Sequence, residues 1–376
     1  MTTAAWPRPL PPSSLRAALL ALMLFLSSAV AVPSLARAEP AAAPEMPTDQ
    51  GFPILVHVGL AMTKLDAFDE SGGTFDATVN LRVRWQDMRL AIPGAKPGEA
   101  PLTLRQAAAE ARLATMWVPP VVLANLKGES EVLATGLRIY PNGWVELMRR
   151  TRGSFSTPFT VSRFPFDRQA LTIDIATLDE PANILALRFD QSDINFSRPA
   201  RDLELFGWTI GAIDLTLKPI AAWYNTVNDQ VVASLEIARQ LGEVAAAIFI
   251  PLLASLLIPL LTIWLESVEK GKLQSDPVDL LNINIGGLFA VVALNFTIYT
   301  GYVFLSSGDN TVTRLFALNY AVLGVAFLIN MVFSRFRVLE TAFGPYVQEQ
   351  AYYFLMWAVP TLVVILAAAF VLTAIV

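Results

Sequence analysis

The chain contains no cysteine and a single histidine, His57, among its 376 residues. The first absence excludes a disulfide framework, a thiolate metal centre and a cysteine nucleophile. The second excludes zinc sites built from several imidazoles. Charge is also scarce. Only 16% of residues are charged and the net charge is −5, so no basic surface recommends nucleic acid as a partner. No nucleophile motif is recognisable and no cofactor is expected, so an enzyme is the weakest reading. What the chain has in excess is apolar surface: 54% of residues are hydrophobic and the mean hydropathy is +0.50. Those values suit a chain that lies partly in lipid.

The N-terminus reads as a secretory signal over residues 1–38. Arg8 and Arg16 supply a positive start, Ala17 to Val32 an apolar core too short to span comfortably, and Ala36-Arg37-Ala38 a small-x-small cleavage site. An uncleaved anchor helix is the competing reading. Residues 39–51, rich in Ala and Pro, form a disordered leader.

From residue 52 to residue 240 the pattern is that of strands. Between Thr74 and Trp85, Phe75, Ala77, Val79, Leu81, Val83 and Trp85 alternate with polar residues, which places them on one face of a strand. Further strands are expected at 54–60, 131–140, 144–155, 168–176, 183–189, 206–217 and 230–239. Gly72-Gly73, Pro141-Asn142-Gly143, Glu180-Pro181 and Lys218-Pro219 mark turns between them. Many short strands so punctuated imply an antiparallel β-sandwich. A short helix is expected at 103–114.

Residues 241–376 are different. Four apolar stretches, at about 244–265, 277–304, 312–334 and 350–375, are each long enough for a membrane helix of about 20 residues. A secreted first domain puts that domain outside. The first and third connections, with Lys270, Lys272, Arg335 and Arg337, then lie inside, in line with the positive-inside rule. Tyr352, Tyr353 and Trp357 fall at the inner end of the fourth span, where interfacial aromatics belong.

Between the two halves of this pattern lies Ser162-Arg163-Phe164-Pro165-Phe166-Asp167-Arg168-Gln169. Proline pre-sets a turn, two phenylalanines can bury on something apolar, and Asp167 stays available for a partner. On these residues alone, the loop is either a plug at a wet–dry boundary or an ordinary inter-sheet corner with an apolar tip. Arg239 is the last basic residue before the first uncharged span. There an unpaired charge is costly, and Asp167 is one carboxylate that could meet it. The other reading has Asp167 cap its own loop while Arg239 snorkels to headgroups.

Several spaced motifs now align. Trp85-Gln86-Asp87-Met88-Arg89-Leu90, Trp117-Val118-Pro119 with Asn125, and Phe164-Pro165-Phe166-Asp167 with Gln169 occur in order, and Arg239 stands twelve residues before Pro251. In these motifs the chain resembles the pentameric ligand-gated ion channels, the Cys-loop receptor superfamily, in its bacterial cysteine-less form. Ser156 and Ala170 stand where most members carry the cysteines that close the signature loop.

The resemblance implies a homopentamer of four further identical subunits around a central pore. It places a β-sandwich ligand-binding domain outside and four helices per subunit in the membrane. Its implied setting is the bacterial inner membrane, with the first domain in the periplasm, and its partners are lipid, inorganic ions and an unknown extracellular ligand. It also implies that the second span lines the pore. Asp279, Asn282, Gly286, Phe289, Ala293, Phe296 and Thr300 recur at intervals of three or four and share one helix face. An acidic ring at a mouth concentrates cations, and a ring of large apolar side chains gates by dewetting. Asp279 is thus the expected selectivity residue, with Asp276 as second candidate. Alternatively, Phe289 and Phe296 pack between helices, Asp279 is a solvated helix start, and Asp276-Pro277 is a helix cap.

Carried over in the same way, Asp167 is expected to face Arg239, and Phe164, Pro165, Phe166, Asp167 and Arg239 to couple the ligand domain to the pore. The agonist positions depart from the family. Near Ala124 and Asn80 the aromatic residues are missing, and the loop after the 168–176 strand offers Asp179 and Glu180. Only Trp223 and Tyr224 keep the character of a capping loop. A cage for quaternary ammonium needs several rings, so the expected signal is instead a small cationic ligand, a divalent ion or protons. The bland reading of Asp179 and Glu180 is a surface turn. The function expected is a cation-selective ligand-gated channel. The alternatives are an anion-selective channel of the same fold and a non-conducting membrane sensor.

Overall fold

The computed structural model describes residues 45–48, 51–94, 99–177, 180–264, 266, 268–269, 272–273 and 276–375. The chain divides into two units, Met1–Glu45 and Met46–Val376. The expected signal segment 1–38 lies outside the described residues, as do Asp179, Lys270 and most of the leader.

Ten strands build two sheets: β1 Ile54–Asp69, β2 Thr74–Gln86, β3 Leu102–Arg105, β4 Val121–Leu123, β5 Leu126–Ile139, β6 Trp144–Ser156, β7 Arg168–Thr177, β8 Leu185–Arg188, β9 Trp208–Ala221 and β10 Val227–Arg239. One sheet runs β3-β5-β6-β2-β1-β8 and the other β4-β7-β10-β9. The alternation read in β2 holds through its pairing with β6, where Phe75 opposes Phe155 and Trp85 opposes Val145. Trp85, Phe75 and Phe155 are fully buried between the sheets, and the two phenylalanines stack at 5.5 Å. Each such ring stabilises the sandwich by about 1.5–3 kcal/mol relative to exposure.

The strand pattern departs from the sequence reading at several places: β4 was not expected, and Lys218-Pro219, read as a turn, lies inside β9, paired with Gln230 and Asp229 of β10. β1 continues to Asp69 rather than stopping near 60, with register shifts against β2 that absorb its twist. The helix expected at 103–114 is a strand followed by a helix. Leu102 to Arg105 adds an edge to β5, Gln106 turns the chain with φ 52°, and only Ala107–Leu113 (α1) is helical. A further helix, α2 Gln191–Phe196, closes with a capping box between Asp190 and Asp193; the sequence reading had no helix there.

Beyond β10 the chain is helical. A first turn, Leu241–Val244, and a π turn, Ala245–Phe249, lead into α3 Ile250–Trp264. There follow α4 Pro277–Gly301, α5 Thr311–Ile329, extended by a π turn to Arg335, α6 Val338–Phe343 and α7 Pro345–Ile375. The four long helices have the length and composition to cross a membrane. Asn319 on α5, fully buried, accepts a hydrogen bond from the Ser255 hydroxyl at 3.0 Å and donates to the Leu252 carbonyl at 3.2 Å, both on α3. Asn295 on α4, by contrast, is only half-buried and finds no partner among the described residues. Tyr352 is likewise not an interfacial aromatic. It is fully buried and donates to the Ile263 carbonyl at 2.8 Å, tying α7 to α3, whereas Tyr353 and Trp357 remain exposed.

Candidate functional site

The foot of the sandwich meets the helices around one guanidinium. Arg239, the last residue of β10, donates Nε to Asp167 Oδ1 at 2.7 Å and Nη2 to Asp167 Oδ2 at 3.1 Å. Its Nη1 and Nη2 reach Glu70 Oε1 at 3.1 Å and Oε2 at 2.7 Å. Arg239 is 5% exposed and Asp167 2%. The cation is thus held between two carboxylates with little water nearby, the bidentate geometry that makes such pairs strong. Its planar group also lies over Trp208 at 4.2 Å, Phe164 at 5.0 Å and Phe304 at 5.1 Å. Burial alone would lower the arginine's pKa. The hydrogen bonds it donates to Asp167 and Glu70 outweigh that and raise it, so its charge is fixed.

The loop that carries Asp167 is braced from inside. The Gln169 amide donates to Asp167 Oδ2 at 2.9 Å and to the Thr160 carbonyl at 2.7 Å. Hydrogen bonds also hold the base of the loop. The Thr157 hydroxyl donates to the Ala170 carbonyl at 2.9 Å, and the Asn125 amide donates to the carbonyls of Ser156 and Thr172, both at 2.7 Å. At the tip, Phe164 is fully buried and belongs to the apolar cluster of the helices rather than that of the sandwich. It stacks on Phe249 at 6.4 Å and meets Phe304 edge-on at 5.7 Å. Phe304 lies in the short turn Val303–Ser307 between α4 and α5. Pro165 is buried and Phe166 half-buried. Glu70, Trp208, Phe249 and Phe304 were not singled out from the sequence; the only signal at Glu70 was the Gly72-Gly73 turn two residues on.

On α4 the residues Asp279, Asn282, Gly286, Phe289, Ala293, Phe296 and Thr300 are all exposed. Leu280, Asn284, Gly287, Val291 and Ile298 form the buried face. A Cβ at Gly287 would stand 2.9 Å from Ile258 and 3.2 Å from Leu323, so α4 is pressed closely onto α3 and α5 there. Phe289 and Phe296 do not pack between the helices of their own chain; they are 70% and 72% exposed. Ile285, Leu288 and Val292 are exposed as well, so exposure alone does not single out the stripe. Asp276 caps the helix, accepting from the Val278 N–H at 2.9 Å, while Asp279 is left to solvent.

The expected ligand residues divide. Trp223 and Tyr224 form the tip between β9 and β10, 77% and 95% exposed, with Tyr224 and Asn225 at φ 55° and 61°. Glu180 is half-buried and its backbone carbonyl accepts from the Thr177 hydroxyl at 3.3 Å. The Ala182 N–H bonds the Val227 carbonyl at 2.9 Å, which brings the Glu180 segment beside the base of that tip.

A family model for the neurotransmitter-gated ion-channel ligand binding domain matches residues 40–241. A proton-gated ion channel of Gloeobacter violaceus is 23% identical over 249 residues, covering 66% of this chain and 64% of that protein. The γ-aminobutyric acid receptor subunit pi of Rattus norvegicus is 24% identical over 237 residues, covering 59% of this chain and 50% of that one. The chain thus spans less than two thirds of the length of the curated relatives it matches. With the family domain covering more than half of its length and four membrane-competent helices following it, the chain belongs to the neurotransmitter-gated, or pentameric ligand-gated, ion channels.

Proposed function

We propose that the chain is the subunit of a homopentameric, cation-selective channel in a bacterial inner membrane, opened by an extracellular signal. The observation that carries this reading is the free face of α4, which begins at exposed Asp279 and rises through Phe289 to Phe296. Its own subunit leaves that face uncovered, and five such faces around an axis would form a pore with an acidic mouth and an apolar constriction. In this reading residues 52–240 are the outer ligand domain and 241–376 the membrane domain. Phe164, Pro165, Phe166, Asp167 and Arg239 carry the coupling, now joined by Glu70. Trp223, Tyr224, Asp179 and Glu180 remain the ligand candidates, and protons rank beside small amines and divalent ions because the Gloeobacter relative is named proton-gated.

An anion channel would want basic residues at the mouth, and α4 has none between Pro277 and Gly301. A non-conducting sensor would leave the α4 stripe without a use. The test is to reconstitute the purified protein in lipid and record current while varying pH, divalent ions and amines. Current with a cation-selective reversal potential is expected. Silence under all conditions, with a pentamer verified in the membrane, overturns the reading.

A further inference from the structure

His57, on β1, faces the two carboxylates of the α2 capping box. Its Nδ1 is buried, makes no hydrogen bond, and lies 3.6 Å from Asp193 Oδ2 and 3.8 Å from Asp190 Oδ2. Both of those oxygens are already taken by Arg84 Nη2, each at 2.8 Å. Arg82 holds the remaining oxygen of Asp193 at 2.7 Å. We propose that His57 is a proton-binding site, and that a proton taken up there competes with Arg84 for Asp190 and Asp193 and so reports external acidity to the joint at Arg239. This names the signal of the channel reading above and rests on it for the coupling, though not for the proton uptake.

The chemistry favours a proton over a metal ion. The two carboxylate charges are already balanced by two guanidinium groups, so a divalent ion would bring two uncompensated positive charges into the cluster and a proton only one. Histidine is the side chain that ordinarily changes charge between pH 5 and 8, and this chain has only one. The remaining charged groups around it are accounted for. Arg188, its neighbour on β8, is turned to Asp229 at 2.6 Å. Glu146, opposite Arg84, is engaged by Tyr140 at 3.4 Å and Arg138 at 3.7 Å. Asp193, completely buried, stays ionised: burial would raise its pKa, but its contacts with His57, Arg84, the Asp190 backbone and Arg82 hold it well below the usual range. A neutral imidazole completes a cluster of two cations and two anions; a protonated one adds a third cation to it. A His57 Nδ1–H would then compete with Arg84 for the same two oxygens.

That competition has a physical route to the joint. α2 sits directly on β1: a Cβ at Gly59 would meet Phe196 at 3.1 Å. The Ser197 hydroxyl accepts from the Leu60 N–H at 2.9 Å and donates to the Asp193 carbonyl at 2.8 Å. The Ala200 N–H bonds the Met62 carbonyl at 2.8 Å further along the strand. The same segment ends at Gly207, whose carbonyl accepts from the Gln240 N–H at 2.8 Å, and at Trp208, whose ring lies against Arg239. A shift of α2 is thus passed along one bonded segment to the cation that links sandwich and helices.

Trp144 meets the His57 ring edge-on at 5.8 Å and serves as an internal reporter. The experiment follows tryptophan emission of the full-length protein in lipid nanodiscs from pH 8 to pH 4, beside proton-evoked current in liposomes. A sigmoidal emission change is expected in the parent, lost in His57→Gln and reduced in Trp144→Phe. The half-activating pH of the current should shift by about one unit or more in His57→Gln. Asp174 is the competing titratable group, since burial raises its carboxyl despite Gln230 and Lys218. An emission change that persists in His57→Gln and vanishes in Asp174→Asn overturns the proposal. So does a pH-gated current with the same half-activation in parent and His57→Gln, which leaves the channel reading standing. An emission change lost in His57→Gln with no current at any pH does the reverse: the proton site stands and the channel reading falls.

Discussion

Arg239 and Asp167 are bonded side chain to side chain at 2.7 Å and 3.1 Å, and backbone to backbone at 3.2 Å. The second carboxylate, Glu70, takes the other edge of the same guanidinium. Removing one member of so desolvated a pair costs about 3–5 kcal/mol, because the other charge is stranded. Asp167→Asn and Arg239→Gln are therefore expected to abolish gating or assembly. Glu70→Gln, at a more exposed position, should cost about 1–3 kcal/mol. The charge swap of Asp167 and Arg239 should fail to rescue, because an acid at 239 would confront Glu70. A double-mutant cycle on gating, with surface expression as control, checks this; full rescue by the swap would mean that Glu70 contributes nothing.

Asp279 is expected to set ion choice. In the proposed pore, five such carboxylates at one mouth would focus a field that draws in cations. Asp279→Ala should lower the cation preference and Asp279→Arg should reverse it, read as reversal potentials in a salt gradient. Asp276 is engaged as the helix cap, so Asp276→Asn should leave selectivity near the parent's. A larger shift from Asp276 than from Asp279 would relocate the filter.

Phe289→Ser places a hydroxyl in the apolar stretch of α4. The expected result is leak current or a left-shifted response, since a wetted constriction favours conduction. The measurement is resting current normalised to pentamer at the surface. Parent-like gating would make Phe289 a lipid or neighbour-helix contact.

Asp193 supplies a pH signature of folding. Burial opposes its ionisation, but His57, Arg84, the Asp190 backbone and Arg82 hold its carboxyl well below the usual range. A depressed folded pKa adds stability above the unfolded value of about 3.9, and that stability is lost as pH falls through the folded value. Thermal unfolding of the parent should therefore weaken below about pH 4. Asp193→Asn should melt lower at neutral pH and depend less on acid. An Asp193→Asn curve parallel to the parent's would remove Asp193 from the acid response.

Much of the architecture could be read from local pattern. Period-two alternation marked β2, and uncharged runs marked the long helices. The resemblance placed Asp167 against Arg239, and the cost of an unpaired cation at the edge of an apolar span gave that pairing a physical reason. What escaped were features that depend on distant neighbours. Leu102 to Arg105 is a strand only because β5 offers an edge, and nothing in its own sequence outweighed the alanine-rich helix beside it. α2 is short enough that its capping box, not its hydrophobic period, defines it. Glu70 lies 169 residues from Arg239 in sequence, and a turn-flanking acid gives no local sign of such a partner. Asn319 and Asn295 look alike in sequence, and only packing separates the bonded from the unbonded.

α4 has only 22% of its membrane-competent stretch buried by its own chain, against 50% for α5. A helix so lightly held takes its resting tilt from its neighbours more than from its own subunit. In a five-fold ring each copy would be both wall and support for the next, so that no one of them could lean without unsettling the others. On the proposed homopentamer, opening would then be a collective event, and a single defective subunit in a mixed ring should disturb the whole rather than subtract one fifth.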